Sequence, residues 1–464
     1  MDGLECTEML LSEISKRNRI DSEYYQEKYI ENEKKLLSLP NFIIDSRYKV
    51  TDGEHGSVEY LEKGVRYLTA ENIKRGYVDI DNVKYVSEEV DRKNARASVE
   101  KGDVLISIKG TLGEVAVAED WLPPCNMNRD VAIIKAHDKD NTFSDYLAIF
   151  LMSKYGVIQS ERGGSGGVQQ MITLERLRTF IIPEFSVDFY NKIKLLYSKS
   201  QECLTLAKEY FTKSEVILLN ELGMSDYSES EEKVIVKTLS ESWGNTNRFD
   251  AEYYQKKYSE IYNIICNYTG GYEFIETVCN IEDSNFIPQN DKKYRYVELA
   301  NVGRYGEVNG CTNDVGGNLP TRARRLIREG DVMVSSIEGS LSSCALVTEE
   351  YNNSICSNGF YVVNSHKINS ETLLLLFKSK AIQNLLKKGC SGTILMAISK
   401  DEFKKIPIPI IRSSVQDELK EIIHECSRLR NESKRLINMA KKAVEIAIDL
   451  GEEEAIKFFK SHSI

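Results

Sequence analysis

Two loops carry the residues best suited to meet the polar edges of another molecule. In SERGGSGGVQQMITL (Ser160–Leu174), Arg162, Ser165, Gln169 and Gln170 stand among four glycines. Glycine lets a backbone approach a surface closely, and a glutamine amide can pair with two atoms of an adenine edge. KKGCSGTILMAIS (Lys387–Ser399) offers Lys388, Ser391 and Thr393 but has apolar residues where the glutamines stood. The same letters also suit plain helix–strand connections. The turn IKGTLG (Ile108–Gly113) offers Lys109 and Thr111 to a phosphate or a base, or is simply a tight hairpin, and its second copy supplies Ser340. NMNRD (Asn126–Asp130) places Asn128 and Arg129 at a strand start, with Ser357 and Asn358 in its twin. His55 lies in DGEHGS, either at a groove or on a surface turn. TRARRLIR (Thr321–Arg328) is the strongest basic cluster and has no evident equal in the first half. Arg322, Arg324 and Arg325 could hold phosphate or guanine, or form a solvated helix face.

Motifs for in-house catalysis are missing. There is no GxxxxGK[ST] phosphate loop, no HExxH, no GxSxG and no kinase signature. A nucleic-acid amino-methyltransferase needs an acid- or Asn-led Pro-Pro-aromatic motif, and WLPPC (Trp121–Cys125) has the wrong flanks. Asp103 and Lys109 lack the Glu of a metal nuclease, and Lys109 aligns with Glu338 in the second half, so Asp103 and Asp331 read as turn residues before strands. The five histidines are dispersed, and the ten cysteines form no CxxC pair, which suits a reducing compartment. The opening MDGLECTEML has no basic n-region, and the longest aliphatic run, Leu373–Leu376, is far short of a membrane span. A cytoplasmic protein is expected. Its net charge of −10 lacks the basic surplus of a chain that grips DNA alone, so any nucleic-acid contact would be local and helped by a partner.

The elements that hold these loops are written twice. NRIDSEYYQEKY at Asn18 and NRFDAEYYQKKY at Asn247 share nine of twelve letters, 229 positions apart. YLTAENI and YVELANV, KGDVLISIKGTLG and EGDVMVSSIEGSLS, FIIPEFSV and IPIPIIRSSV follow in the same order. A register that drifts by only a few residues along a whole chain marks a tandem duplication. Each half reads as a Tyr-rich opening, short β-branched strands, a helix (DYLAIFLMSKYGVIQS or ETLLLLFKSKAIQNLLKK), the Gly/Ser loop, and a Pro-bearing strand. The repeated opening phrase keeps its letters where a base-reading contact should diverge. It therefore does one job twice, packing against the long helices or docking identical partners.

Each half then ends in a helix without Pro or Gly, Val187–Leu222 and Val415–Leu450, stopped by Gly223 and Gly451. A 3–4 seam runs through Tyr190, Ile193, Tyr197, Leu204, Phe211 and Leu218 in the first helix. In the second it runs through Leu419, Ile422, Leu429, Leu436, Ala440 and Ala447. That spacing predicts a coiled coil. Tyr197 and Phe211 are large where the second helix has Cys426 and Ala440, which suits interdigitation. Each rod would be about 50 Å long.

With this plan in place, the chain resembles the DNA-specificity subunit of type I restriction–modification systems. The resemblance rests on VTDGEHGSVEYLEKGVRYLTAENI (Val50–Ile73), GDVLISIKGTLGEVAV (Gly102–Val117), GDVMVSSIEGSLSSCALV (Gly330–Val347), and the Gly/Ser loop before the Pro-bearing strand. These recur in order, twice, over nearly the whole chain. The resemblance implies an α+β fold: two tandem α/β target-recognition domains joined by two long helices in an antiparallel coiled coil, with a pseudo-two-fold repeat. The expected domains are 1–186, the central helix 187–223, the second domain 224–414, and the distal helix and tail 415–464. Each domain would read one half of a split, asymmetric site on double-stranded DNA. The helices would fix the gap and dock two methyltransferase subunits, which carry S-adenosylmethionine and methylate adenine N6, and ATP-dependent restriction subunits could join. This chain itself is expected to catalyse nothing and to hold no cofactor or metal. Two other readings remain open: the specificity chain of a system whose partner fuses methyltransferase and nuclease, and a duplicated scaffold without DNA contact.

Overall fold

The computed structural model describes residues 7–462 except 18, 111, 137–141, 163–170, 231, 233, 245, 247, 283 and 393–395. It divides into two compact units. The first comprises Met1–Leu204 with Asn431–Ile464, and the second Thr205–Arg430. Each unit therefore takes in part of both long helices.

The first unit is organised by an antiparallel sheet in the order Val50–Asp52, Val131–Ile134, Val104–Ser107, Val115–Val117. Apart from Val50–Asp52, its strands are mainly apolar runs rather than alternating ones because both faces are covered. Val104, Ile106, Val115, Val117, Ala132 and Ile134 face a helical core with Tyr146, Phe150 and Phe189. Leu105, Ala116, Val131 and Ile133 face a second core with Leu68, Ile73, Cys125 and Met127. Beyond it lies a three-stranded sheet, Lys84–Val86, Val65–Leu68, Cys125–Met127, in which the last pair is parallel.

The second unit repeats the four-stranded sheet as Asn280–Glu282, Phe360–Asn364, Val332–Ser335, Cys344–Leu346. Its outer sheet has four strands: Thr312–Val315, Lys293–Val297, Ser354–Ser357 and Ala323–Ile327. Residues 323–327, left open above as a helix face, are thus a strand. The Pro-bearing strands are Ile181–Pro183 and Pro407–Pro409, each in a two-stranded pair, where a missing N–H is tolerated.

The single helix expected in each half is broken at a serine. Thr142–Met152 is followed by Lys154–Glu161, and Ser370–Lys378 by Lys380–Gly389. Ser153 and Ser379 adopt extended backbone (ψ 166° and 141°) and start the second helices. The Ser379 hydroxyl accepts from Ile382 N, an N-cap bond that stabilises the restart.

The long helices span Val187–Glu221 and Ser413–Leu450. Gly223 (φ 66°) closes the first, with Met224 N reaching back to Leu219 O at 2.8 Å. Past Gly451, residues described above only as a tail form a helix, Glu452–Ser461, whose Phe459 lies 6.0 Å from Phe189. Within the first unit, Ser186 N donates to Glu452 and the Ser200 and Ser433 hydroxyls meet at 2.7 Å, so the two helices run antiparallel there. Within the second unit the same sense follows from Cys426 Sγ on Ala207 O (3.3 Å) and Arg412 Nε on Glu221 (2.7 Å). The apolar seam positions are buried, apart from Tyr190 and Leu204, which are half-buried.

The two large seam residues serve the globular parts. Tyr197 Oη donates to Gly76 O (2.7 Å) and accepts from Val117 N (3.1 Å), while Phe211 meets Tyr305 edge-on at 5.1 Å. Tyr197→Phe would strand a buried Val117 N–H. A loss of about 1–3 kcal/mol is expected, measured by urea denaturation.

Candidate nucleic-acid interface

In the first unit the candidate loops are stitched together by their backbones. Glu54 N donates to Met127 O and Arg129 N to Glu54 O, both at 3.0 Å. Ile108 N donates to Asp130 O (3.0 Å) and Ile172 N to Ile108 O (2.8 Å). Gly53 permits the approach, since a Cβ there would lie 1.9 Å from Met127 O. The result is one rim carrying His55, Lys109, Asn128 and Arg129. His55 Nε2 sits 2.8 Å from Asp52, which Arg96 also approaches at 3.5 Å. Lys109 Nζ lies 3.6 Å from Asp130 Oδ1, and Asn128 also turns to Asp130 at 3.1 Å. Arg129 is exposed. Two hydrogen bonds, first from Gly56 N and then from Asn94, hold the Glu54 carboxyl below its ordinary value.

The second unit builds the equivalent rim. Asn358 N donates to Arg322 O (2.8 Å), Ser336 N to Gly359 O (2.9 Å), Ile398 N to Ser336 O (2.8 Å) and Glu338 N to Met396 O (3.0 Å). These bonds make Ser336 the counterpart of Ile108. They put Ile337, bridged to Ala397, where Lys109 is bridged to Met171. The inserted residue therefore falls after Ile337, and Glu338 does not replace Lys109. Arg322 Nε reaches Tyr296 Oη at 3.1 Å and its Nη2 reaches Glu298 at 2.5 Å. Arg324 Nε donates to Thr321 O (2.7 Å), and Arg325 Nη1 to Glu282 O (2.9 Å). The Ser340 hydroxyl lies 3.0 Å from that of Ser335. Asn358 and Ser391 are exposed.

One residue of the basic cluster has a counterpart in sequence: Ala95–Arg96 aligns with Ala323–Arg324, although Ala95–Ala97 forms a 3-10 turn and Ala323–Ile327 a strand. The shared Ala-Arg, 228 positions apart and in step with the following Gly-Asp, is the signal that would have found it.

Thr111, Ser165, Gln169, Gln170 and Thr393 lie outside the described residues. Arg162 faces inward: it is 5% exposed, bonds Glu33 at 2.9 Å and donates to Tyr24 O. Lys388 is half-buried, with Nζ 4.8 Å from the Tyr253 ring.

The repeated opening phrase forms one device twice. Arg19 forks onto Asp21 (2.9 and 2.8 Å) and Tyr25 Oη donates to Arg19 O (2.8 Å). Arg248 forks onto Asp250 (2.7 and 2.6 Å) and Tyr254 Oη donates to Arg248 O (2.9 Å). Each device touches the end of the short helix that leads into the Gly/Ser loop, through Arg162 on Tyr24 and through Arg248 on Cys390 O. Its packing partner is thus that helix end.

Among the described residues no cluster of His, Cys, Asp and Glu could hold a metal ion, and no helix is long and apolar enough to cross a membrane.

A family model for the type I restriction modification DNA specificity domain matches residues 52–183 and 269–439, well over half of the chain. The chain belongs to this specificity-domain family. Both matched segments of the specificity domain include the rim residues of their own half. The type I restriction enzyme EcoBI specificity subunit of Escherichia coli is 22% identical over 156 residues, 34% of this chain. The match spans about a third of that relative's length, 32%. Among solved structures, a type I restriction–modification system S subunit from M. genitalium is 12% identical (TM-score 0.34; 88% of this chain, 94% of that one). The HsdS subunit from Thermoanaerobacter tengcongensis is 13% identical (TM-score 0.27; 89% and 96%).

Proposed function

We propose that this chain is the non-catalytic, sequence-reading subunit of a type I restriction–modification complex. The observation that carries this reading is the specificity-domain match in two segments. The two rims support it, sharing a backbone scheme while differing in side chains. Each unit reads one half of a bipartite, asymmetric DNA site. In the first unit His55, Lys109, Asn128 and Arg129 face the duplex, joined by Thr111, Ser165, Gln169 and Gln170. In the second unit Arg322, Arg324, Arg325, Ser340, Asn358, Ser391 and Thr393 do so. Arginine and asparagine are suited to guanine and adenine edges, and the remaining cations to phosphate. Lys109 and Arg322 rest against the carboxylates of Asp130 and Glu298, which orient them and fit a chain whose net charge is −10. The long helices act as an antiparallel coiled coil that sets the unread gap. Their solvent side docks two methyltransferase subunits, and exposed Leu195, Leu206 and Val216 on the first helix suit that role. Those partners carry S-adenosylmethionine and methylate adenine N6, and ATP-dependent restriction subunits complete the assembly.

Single-molecule mapping of modified bases in the host genome, with and without this gene, tests the reading. The expected result is loss of methylation at one split motif with a fixed gap. An unchanged methylome in a host whose partner methyltransferase is active would overturn it.

A further inference from the structure

The two opening devices differ in how their charges are balanced, and Arg176, 5.7 Å from the Tyr24 ring centroid, has Glu402 at its place in the second unit. In the first unit the cation over the first tyrosine is balanced from within the chain: Arg162 lies 4.5 Å from the Tyr24 ring centroid, and Glu33 takes its Nη1 at 2.9 Å. The second unit has Tyr253, Lys388 and Tyr262 at these positions. Lys388 Nζ keeps its place over Tyr253 at 4.8 Å, but Tyr262 brings no carboxylate, and no ion pair reaches the amine among the described residues. A cavity of about 320 Å³ remains, lined by Tyr253, Tyr262, Phe274, Lys388, Glu402 and Lys405. Glu402 is held by Lys405 at 2.9 Å, and Glu276 stands exposed at the rim. Burial outweighs the attraction of Glu402 and, with Arg248 nearby, holds the Lys388 amine below its ordinary value.

A half-buried amine is stabilised by a charge-assisted bond to an acid, and aromatic walls accept an apolar body. We propose that this cavity binds a carboxylate on an apolar stem, which occupies the place Glu33 fills in the first unit. The carboxylate comes either from a free small acid or from an acidic side chain of a docked partner. The free-acid case is independent of the proposed function, whereas the partner case rests on it.

The test is limited acylation of the full-length chain with acetic anhydride, read by peptide mass spectrometry at Lys388 against exposed Lys63, with benzoate as the probe. Saturable protection of Lys388 by threefold or more, with Lys63 unchanged, assigns a free acid. Protection that appears only after assembly with the methyltransferase subunits assigns a partner side chain. Tyr262→Glu should protect Lys388 without any addition and abolish the benzoate effect, while Tyr262→Gln should leave labelling as in the parent. Absence of protection under both conditions, or equal benzoate protection in Tyr262→Glu, overturns the proposal. Because the benzoate arm needs no DNA, its failure and failure of the sequence-reading role are separately visible.

Discussion

Replacing Arg430 with alanine is expected to cost the second unit about 3–5 kcal/mol. Arg430 is bonded to Glu307, and their side chains are only 9% and 18% exposed. Its guanidinium also lies 4.5 Å from the Tyr305 ring centroid, and that ring packs on Phe211. The pair thus ties the turn at Tyr305–Glu307 to both long helices within this unit. Alanine leaves a largely buried carboxylate without its bonded cation, and that poorly compensated charge, rather than the lost attraction, sets the size of the effect. Arg430→Met with Glu307→Leu should recover most of the loss, since neither partner is then left charged. Urea denaturation followed by hydrogen exchange checks both variants, and peptides from 7–204 should keep their protection.

The same pair has a pH signature. Burial pushes the Glu307 carboxyl up, but Arg430, backbone and Asn309 hydrogen bonds and Lys378 outweigh it, leaving the group below its ordinary value. A depressed carboxyl stabilises the folded state above the unfolded value of about 4.3. That stabilisation is lost as pH falls through the folded value. The parent should therefore lose stability in the second unit below about pH 4, and Arg430→Ala should lack this step. An unchanged acid profile in the variant would show that the pair does not govern it.

Arg129→Ala is expected to weaken binding of the assembled complex to its site by about 1–3 kcal/mol, roughly 5- to 150-fold. Arg129 is exposed on the rim of the first unit, with its backbone N–H fixed on Glu54 O. A base contact would relax preference at one position of one half-site and leave the salt dependence unchanged. A phosphate contact would weaken all sequences alike and lower the salt slope by about one. Arg322→Ala should act on the other half-site, and the two losses should add, because the residues belong to separate units and share no partner among the described residues. Fluorescence anisotropy at several salt concentrations separates these outcomes. Wild-type affinity and selectivity in both variants would remove the rims from the recognition surface.

The duplication, the strand runs and the long helices were legible because each is a pattern of many letters. VLIS reads as a short β-branched strand, and it and its counterpart VMVS are strands buried throughout. The breaks at Ser153 and Ser379 were not legible: serine within an apolar helical run marks no stop by type, and only the extended backbone there reveals it. The pairing of Lys109 with Glu338 failed because matching letters put the inserted residue before the second isoleucine, whereas backbone bonds put it after. Arg162 looked available beside its glycines, but its partner Glu33 lies 129 positions earlier, beyond any local pattern. Tyr197 and Phe211 fitted a helix–helix seam by spacing, and spacing says nothing of the hairpins they also reach.

The first unit is built from residues on both sides of the second in the chain. On the ribosome, the second unit's continuous stretch emerges complete while the first still lacks Ala440, Ala443, Val444 and Phe459 from its core. The half made first is therefore finished last. Until then the core that Ile193 and Leu196 share with those four residues stays incomplete, which makes that interval the one in which the protein is least closed.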